Sequence, residues 1–189
     1  MGFLDKALRA ASAAKDQLDE VRDARAAAQV QPEPQRPLDE HEQRVLERAR
    51  ALGAVDPFIL LTAPEAGEIL GTPLGAGSFT YSDDMIGVRF AADGPRNQRW
   101  EMEVDTFHAA DDDEPLDAEA YWHGFLADAV ADDGVPVPGL GQAAIARDGE
   151  VYVLAGPGLI FRTAASRPGG EHATDAAVEA ARRVMSRFA

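Results

Sequence analysis

The spacing of apolar residues along the chain changes twice, and each stretch of constant spacing predicts its own kind of element. Within residues 1–28, apolar side chains recur every three or four positions, which predicts one amphipathic helix. Residues 29–37 hold three prolines among polar residues and predict an extended linker. Helical spacing returns in residues 38–52 and stops before Gly53, which predicts a lead-in helix for an α+β domain of residues 38–189.

The stretch that follows the lead-in helix carries signals for both ends of a short helix. Thr62 is a suitable N-cap, and Glu65 stands at the position from which a carboxylate reaches back to the cap residue. Pro64 falls in the first turn, where a missing N–H costs little. Gly71 supplies the left-handed conformation that ends many helices. The sequence therefore predicts a helix between Thr62 and Gly71.

Beyond Gly71 the period of two alternates with helical spacing, in the order α-β-β-β-α-β-β-β-α counted from Thr62. This order predicts an α+β fold, in which two three-stranded meanders form an antiparallel sheet packed with helices. The last helix is expected to have Thr174 as its N-cap. The predicted elements are strands 78–81, 85–91, 100–108, 143–146, 151–154 and 159–163, and helices 116–130 and 174–188.

Strand 100–108 has the clearest alternation in the chain. The apolar side would hold Trp100, Met102, Val104 and Thr106, and the acidic side Glu101, Glu103 and Asp105. Such a pattern is typical of an antiparallel strand with one face in the core and one in water. The acidic run 111–114 after it lacks the spacing of a calcium-binding loop and is predicted to be a solvated loop.

Composition narrows the classes of function. The formal net charge is −15, and an acidic surface repels phosphate backbones, so we expect no nucleic-acid partner. The chain has no cysteine, which excludes disulfides and thiolate metal sites. Together with the lack of a signal-like or membrane-spanning apolar run, this predicts a cytoplasmic protein, with a location at the inner face of the membrane as the alternative.

Catalytic motifs are missing from the sequence. The four histidines form no metal-binding pair, and no serine or glycine motif of a hydrolase, P-loop or dinucleotide site occurs. We therefore predict no catalytic residue, metal or cofactor. The densest aromatic cluster, Tyr121-Trp122-His123, marks a possible cleft, with Tyr121 and Phe125 in the core and Trp122 or His123 at an edge. An enzyme with a pocket involving His108, Tyr121 or His123 is the alternative.

The N-terminal helix is the predicted contact element. Its apolar stripe is narrow and rich in alanine, so the helix would be marginal in isolation and needs a surface to pack on. We expect residues 3–28 to mediate self-association or docking to a protein partner, with peripheral membrane association as a further alternative. The predicted contact residues are Phe3, Leu4, Leu8, Leu18 and Val21.

Four short motifs together resemble a known family. Leu61-Thr62, Glu65-Ala66 and Leu70-Gly71, followed by the run 139–144 (Gly-Leu-Gly-Gln-Ala-Ala), resemble the actinobacterial DUF3558-type domain. That family is similar to the sensor domain of PknH-type kinases and to small lipoproteins with a PsbP/Mog1-like sandwich. The resemblance covers roughly residues 56–188 and implies a non-enzymatic binding or sensor-like module. The chain departs from the family in having no cysteine for a lipid anchor or disulfides.

Overall fold

The computed structural model of the chain describes residues 37–109, 115–126, 133–156 and 158–188. Three predictions fall outside these residues and stay predictions: the amphipathic helix of residues 1–28, almost all of the linker, and the acidic loop 111–114. The five predicted contact residues belong to the first of these; they are Phe3, Leu4, Leu8, Leu18 and Val21.

Helix α1 spans Glu40–Ala51 and begins at a capping box. The carboxylate of Asp39 accepts from the main-chain N–H groups of His41 and Glu42, each at 2.9 Å. In turn, the carboxylate of Glu42 accepts from the main-chain N–H of Asp39. These contacts satisfy three N–H groups around the helix start that have no partner within the helix. The buried residues Leu46 and Ala49 pack with Ile86 of the sheet, so the lead-in helix belongs to the folded body.

Helix α2 spans Ala63–Leu70, and its predicted ends are confirmed. Glu65 accepts from both the N–H and the hydroxyl of Thr62, at 2.8 and 2.7 Å, and Gly71 is left-handed with φ of 67°. Glu65 also accepts from Arg187, so the same carboxylate joins the start of α2 to the C-terminal segment. Burial alone would raise the pKa of Glu65, but Thr62 and Arg187 outweigh it and lower the pKa.

Replacing Thr62 with alanine is expected to lower the free energy of unfolding by about 1 kcal/mol, because the helix loses its side-chain cap and Glu65 loses the hydroxyl donor, while the main-chain N–H of residue 62 still donates to it. Urea unfolding measures the change. Thr62→Ser keeps a hydroxyl at the cap and should lie within about 0.3 kcal/mol of the wild type. Equal losses in the two variants would show that the methyl group of Thr62, and not its hydroxyl, stabilises this end of the helix.

In the described part of the chain, seven antiparallel strands form one sheet, and the prediction of an α+β fold with an antiparallel sheet is confirmed. The spatial order is β1-β2-β3-β7-β6-β5-β4, so a first meander pairs with a second through β3 and β7. The strands are β1 (Ser78–Tyr81), β2 (Met85–Ala91), β3 (Glu101–Phe107), β4 (Val135–Pro136), β5 (Ala143–Arg147), β6 (Glu150–Gly156) and β7 (Leu159–Ser166).

Strand β4 alters the prediction of two three-stranded meanders, because it gives the second meander a fourth strand. Its two residues lie outside every predicted element, and they pair with Ala146 and Ile145 of β5. The proline at position 136 argues against a central strand because it has no N–H to donate. At the edge of the sheet that N–H is not needed, and β4 occupies such an edge.

The helix predicted for residues 116–130 differs in form. Helix α3 covers Ala118–Tyr121 and continues as a π-helix over Trp122–Leu126. Asp117 caps it, accepting from the N–H of Ala120 at 3.0 Å. The π-helical stretch changes the rotation between successive side chains, so the apolar spacing of the sequence does not give the buried face here.

Helix α4 spans Thr174–Met185, and the prediction that Thr174 is its N-cap is wrong. Ala173 occupies the cap position and makes no side-chain cap bond. The hydroxyl of Thr174 instead accepts from the N–H of Gly149 at 3.1 Å, in the turn between β5 and β6. The side chain therefore ties a distant turn to the helix rather than closing the helix end.

The main core lies between one face of the sheet and helices α2 and α4. Val88, Val104, Val151 and Phe161 are fully buried on this first face. Among the described residues, no helix has both the length and the apolar content needed to cross a membrane. The opposite face is called the second face below. The helices of the described residues cover this face only in part, so a site can lie on the part that they leave open.

Candidate functional site

The aromatic residues that were predicted to border a cleft have different surroundings. Trp122 is only 3% exposed and belongs to an apolar cluster with Phe107, whereas His123 is exposed. Tyr121 is half-buried, with its ring centroid 5.9 Å from that of Phe107. Of the two residues expected at an edge, Trp122 or His123, it is His123 that lies there and Trp122 that is buried, while Tyr121 is less buried than a core residue.

Tyr121 and His108 both bond to Asp84, but in different ways. The hydroxyl of Tyr121 donates to the Asp84 carboxylate at 3.1 Å, whereas only the main-chain N–H of His108 donates to the Asp84 carbonyl, at 2.9 Å. Burial raises the pKa of Tyr121 to about 12, and Asp84 adds to the rise. The phenol therefore keeps its proton at neutral pH and cannot serve as a general base there.

The ring of His108 is buried at the end of β3. Its Nδ1 lies 2.8 Å from the carbonyl oxygen of Ala109, so Nδ1 carries the hydrogen and donates it. Within the described part of the chain, Nε2 of His108 has no hydrogen-bond partner. The enzyme alternative is therefore left with one ring nitrogen, Nε2 of His108, that is unpaired among the described residues. Asp84 is not a shared partner of the His108 and Tyr121 side chains, because Tyr121 bonds to Asp84 through its side chain and His108 does so only through its main chain.

The second face of the sheet is built from rows of side chains that the strand register places side by side. The row nearest α3 is apolar, and Phe107, Leu154 and Ile160 pack there against Trp122 and Leu126. Two polar rows follow. The first polar row is Thr80, Gly87, Asp105, Arg162 and Tyr152, and the second polar row is Ser78, Arg89, Glu103, Ala164, Glu150 and Arg147.

Arg162 is the centre of an ion-pair network in these rows. Its Nε and Nη2 donate to Oδ2 of Asp105 at 2.9 and 2.8 Å, and its Nη1 donates to Glu150 at 2.7 Å. Nη2 also lies 3.5 Å from Glu103, which accepts from Arg89 at 3.1 and 3.3 Å. One guanidinium therefore bridges carboxylates from strands β3 and β6.

Burial affects the two central partners unequally. Desolvation raises the pKa of Asp105 to about 7, and Glu103 adds to the rise although Arg162 and Arg89 oppose it. Burial alone would lower the pKa of Arg162, but Asp105, Glu150 and Glu103 outweigh it and raise the pKa. The expectation that the acidic side of β3 is solvated is wrong for Asp105, whose side chain is 5% exposed.

Two small residues shape the polar rows. A Cβ at position 87 would lie 2.0 Å from Oδ1 of Asp105 and 2.7 Å from the hydroxyl oxygen of Thr80. Gly87 therefore leaves the space that the Asp105 carboxylate occupies. In the second polar row, Ala164 lies between Glu103 and Glu150, so its short side chain leaves a gap between two longer ones.

A pocket of about 180 Å³ lies beside Ala164. It extends from the second polar row to the β5–β6 turn and to the segment that leads into α4. Four carboxylates face it, with one arginine and one exposed histidine. Its lining is Arg89, Glu101, Glu103, Asp148, Gly149, Glu150, Ala164, Ala165, Ser166 and His172.

The turn at Asp148-Gly149 forms one wall of the pocket. Both residues have positive φ, 47° and 80°, which is the conformation of a two-residue hairpin turn. The N–H of Gly149 donates to Thr174, and its carbonyl accepts from the N–H of Ala165 at 2.9 Å. These bonds attach the turn to β7 and α4, so on this side the pocket is bounded by main chain that hydrogen bonds hold in place.

In the described ranges, no group of three or more histidine, aspartate or glutamate side chains has the arrangement of a metal site. A scan against family models, a search of curated proteins and a search of solved structures give no match to this chain. The polar rows and the pocket are therefore interpreted from their own geometry.

Sequence reasoning identified part of this site and missed its centre. Glu101, Glu103 and Asp105 were recognised as one side of a strand. Arg162 was not singled out, although it is the one charged residue in the apolar run Leu-Ile-Phe-Arg-Thr of residues 159–163. A charge inside such a run indicates a partner on the same sheet face, and this was the available signal.

Proposed function

We propose that the chain is a non-enzymatic binding module whose ligand enters the pocket beside Ala164. The observation that carries the proposal is a cavity with charged walls on the sheet face opposite helices α2 and α4. Antiparallel sheets often expose one polar face, and here the pocket beside Ala164 gives that face a concave surface lined with charged groups. The resemblance to DUF3558-type sensor domains supports the same class of function.

The size and charge of the pocket suggest what would bind. Its volume of about 180 Å³ is below the roughly 300–1,000 Å³ of drug-sized ligand sites, so it fits one side chain or a small head group. Its lining has four carboxylates and one guanidinium, and the chain as a whole carries −15. Such a potential attracts cations and repels anions. A lysine or arginine side chain of a partner protein suits both properties.

Binding can be tested with three capped tripeptides, Gly-Lys-Gly, Gly-Gln-Gly and Gly-Glu-Gly, followed by ¹H–¹⁵N NMR of the full chain. The lysine peptide is expected to shift the amide resonances of the pocket, and the glutamate peptide is not. Ala164→Leu fills the pocket and should abolish these shifts. Ser78→Leu adds the same side chain to the same row outside the pocket lining and should leave them unchanged.

Two results would contradict the proposal. One is a lysine peptide that leaves the pocket resonances unmoved at millimolar concentration. The other is a set of shifts that is the same for all three peptides or that survives Ala164→Leu, because the contact would then lie elsewhere. Either result would favour the alternative, an enzyme with a pocket involving His108, Tyr121 or His123; among the described residues, Nε2 of His108 has no hydrogen-bond partner.

The N-terminal helix has a separate part in the proposal. We propose that residues 3–28 serve self-association or docking to a protein partner, with peripheral membrane contact as the alternative. Light scattering of the full chain and of a chain that starts at Pro37, with and without lipid vesicles, distinguishes self-association, docking to a protein partner and membrane contact.

We also propose a cytoplasmic location. Proteins of oxidising compartments are often stabilised by disulfides, and a chain without cysteine cannot form them.

A further inference from the structure

The ion-pair network beneath the pocket has an odd number of charges. Asp105, Glu103 and Glu150 contribute three carboxylates, while Arg89 and Arg162 contribute two guanidinium groups. With every group ionised, these described residues together carry one negative charge in excess. Desolvation favours the neutral form most strongly at the carboxylate that water reaches least. That carboxylate is Asp105, whose side chain is 5% exposed against 15% for Glu103 and 32% for Glu150.

The two oxygens of Asp105 have different surroundings. Oδ2 receives both bonds from Arg162, whereas Oδ1 faces the space over Gly87. The hydroxyl of Thr80 borders that same space, and among the described residues it has no hydrogen-bond partner. Arg162 does not bond to Oδ1, so this is the oxygen on which a proton can be placed. Protonation at Oδ1 also leaves Oδ2 in contact with Arg162.

The groups that face Asp105 come from each neighbouring strand. Strand β1 presents Thr80, β2 presents Gly87 and Arg89, and β3 presents Glu103. Strand β7 presents Arg162, through which Glu150 and Tyr152 of β6 are connected. Desolvation dominates this set and raises the pKa of Asp105 to about 7. A proton held on Asp105 is therefore removed as pH rises through the neutral range.

We propose that Asp105 is a proton switch for the pocket: the buried carboxylate between Gly87 and Arg162 exchanges a proton with solvent, and the loss of that proton makes the pocket walls more negative. Ionised Asp105 draws Arg162 toward itself, which leaves Glu103 and Glu150 less compensated by the guanidinium they share. Both of these residues line the pocket. A cationic group would then bind more tightly as pH rises, and by linkage its binding would release the proton to solvent. This last step rests on the proposed function.

The switch itself is tested without a ligand, by following side-chain ¹³C carboxyl resonances of the full chain between pH 4 and 9. The Asp105 resonance is expected to titrate near pH 7. The Nε–H resonance of Arg162 and the carboxyl resonance of Glu150 should move with the same midpoint. In Asp105→Asn that common midpoint should vanish, whereas Asp93→Asn, in an exposed turn, should preserve it.

The outcomes separate the two proposals. An Asp105 midpoint below pH 5, or an Arg162 resonance that does not follow it, overturns the switch whatever binds to the pocket. With the lysine tripeptide, affinity should rise about threefold or more from pH 6 to pH 8 in the wild type and stay flat in Asp105→Asn. If the resonances titrate together but the tripeptide never binds, the switch stands and the proposed function fails. If the tripeptide binds equally at every pH, the coupling of the switch to the pocket is overturned.

Discussion

Replacing Arg162 with methionine is expected to lower the free energy of unfolding by about 3–5 kcal/mol. Methionine fills much of the same volume but leaves Asp105, Glu103 and Glu150 without the cation that they share. Removing one member of a buried ion pair is costly because the remaining charge has neither water nor a partner. Urea unfolding at pH 8.5, well above the pKa of about 7 that burial gives Asp105, measures the full effect.

Two further variants separate the charge effect from general packing. Arg183→Met removes an ion pair with Glu68 that is largely exposed, and it should cost no more than about 0.5 kcal/mol. In the double variant Arg162→Met/Asp105→Asn the most buried carboxylate no longer needs a cation, so the loss should be smaller than in Arg162→Met alone. A single variant that costs under 1 kcal/mol would show that water reaches the network and that the strands do not depend on it.

The loss in Arg162→Met should also depend on pH. The folded-state pKa of Asp105 lies above its ordinary value, so the folded protein binds more protons than the unfolded chain between about pH 4 and pH 7. The contribution of Asp105 to stability is therefore complete at low pH and decreases as pH rises through 7. Without Arg162 the carboxylate is harder still to ionise, so the variant should approach the wild type in stability as pH falls toward 5.

Replacing Gly87 with alanine is the second change with a large expected effect. The new methyl carbon would overlap Oδ1 of Asp105 and crowd the hydroxyl of Thr80. Asp105 cannot simply rotate away, because two bonds from Arg162 hold its other oxygen. Overpacking in such a site costs about 1–3 kcal/mol, and the loss of the Asp105–Arg162 bonds adds to it. We expect a total of about 3 kcal/mol in urea unfolding.

Gly156→Ala is the matched control, because Gly156 also lies in a strand and nothing stands within 4 Å of an added Cβ. Its effect should stay within about 0.5 kcal/mol, or be slightly stabilising through the unfolded state. If Gly87→Ala were as mild as this control, the Asp105 carboxylate would have a second position open to it. The network geometry described above would then be only one of two arrangements.

The parts of the fold that local chemistry specifies could be predicted. The cap at Thr62, the stop at Gly71 and the period of two in β2 depend only on neighbours a few residues apart. The α+β class follows from the mixture of the two periods. Thr174 shows the limit of such reasoning, because its hydroxyl, which could have capped the helix, accepts instead from the N–H of Gly149, 25 residues away.

The site depends on register, which the local sequence does not contain. Asp105 and Arg162 are neighbours because β3 pairs with β7, and 57 positions separate them in the chain. A shift by one residue would turn Arg162 into the core and would bury a different set of carboxylates. The rows of the second face could therefore be recognised only after the pairing was known. The burial of Trp122 could not be derived from the spacing for another reason: Trp122 lies in a π-helix, whose period is neither that of a strand nor that of an α-helix.

The joining of the two meanders has a consequence for how the molecule folds. Each meander consists of strands adjacent in sequence, so its hairpins can form early and locally. The β3–β7 pairing closes a loop of more than fifty residues and carries a much larger entropic cost. The bonds between Arg162 and Asp105 cross this junction, so they can form only when the halves dock. A charge cluster on the sheet surface therefore acts mainly on the late stage of folding and on the rate at which the folded sheet comes apart.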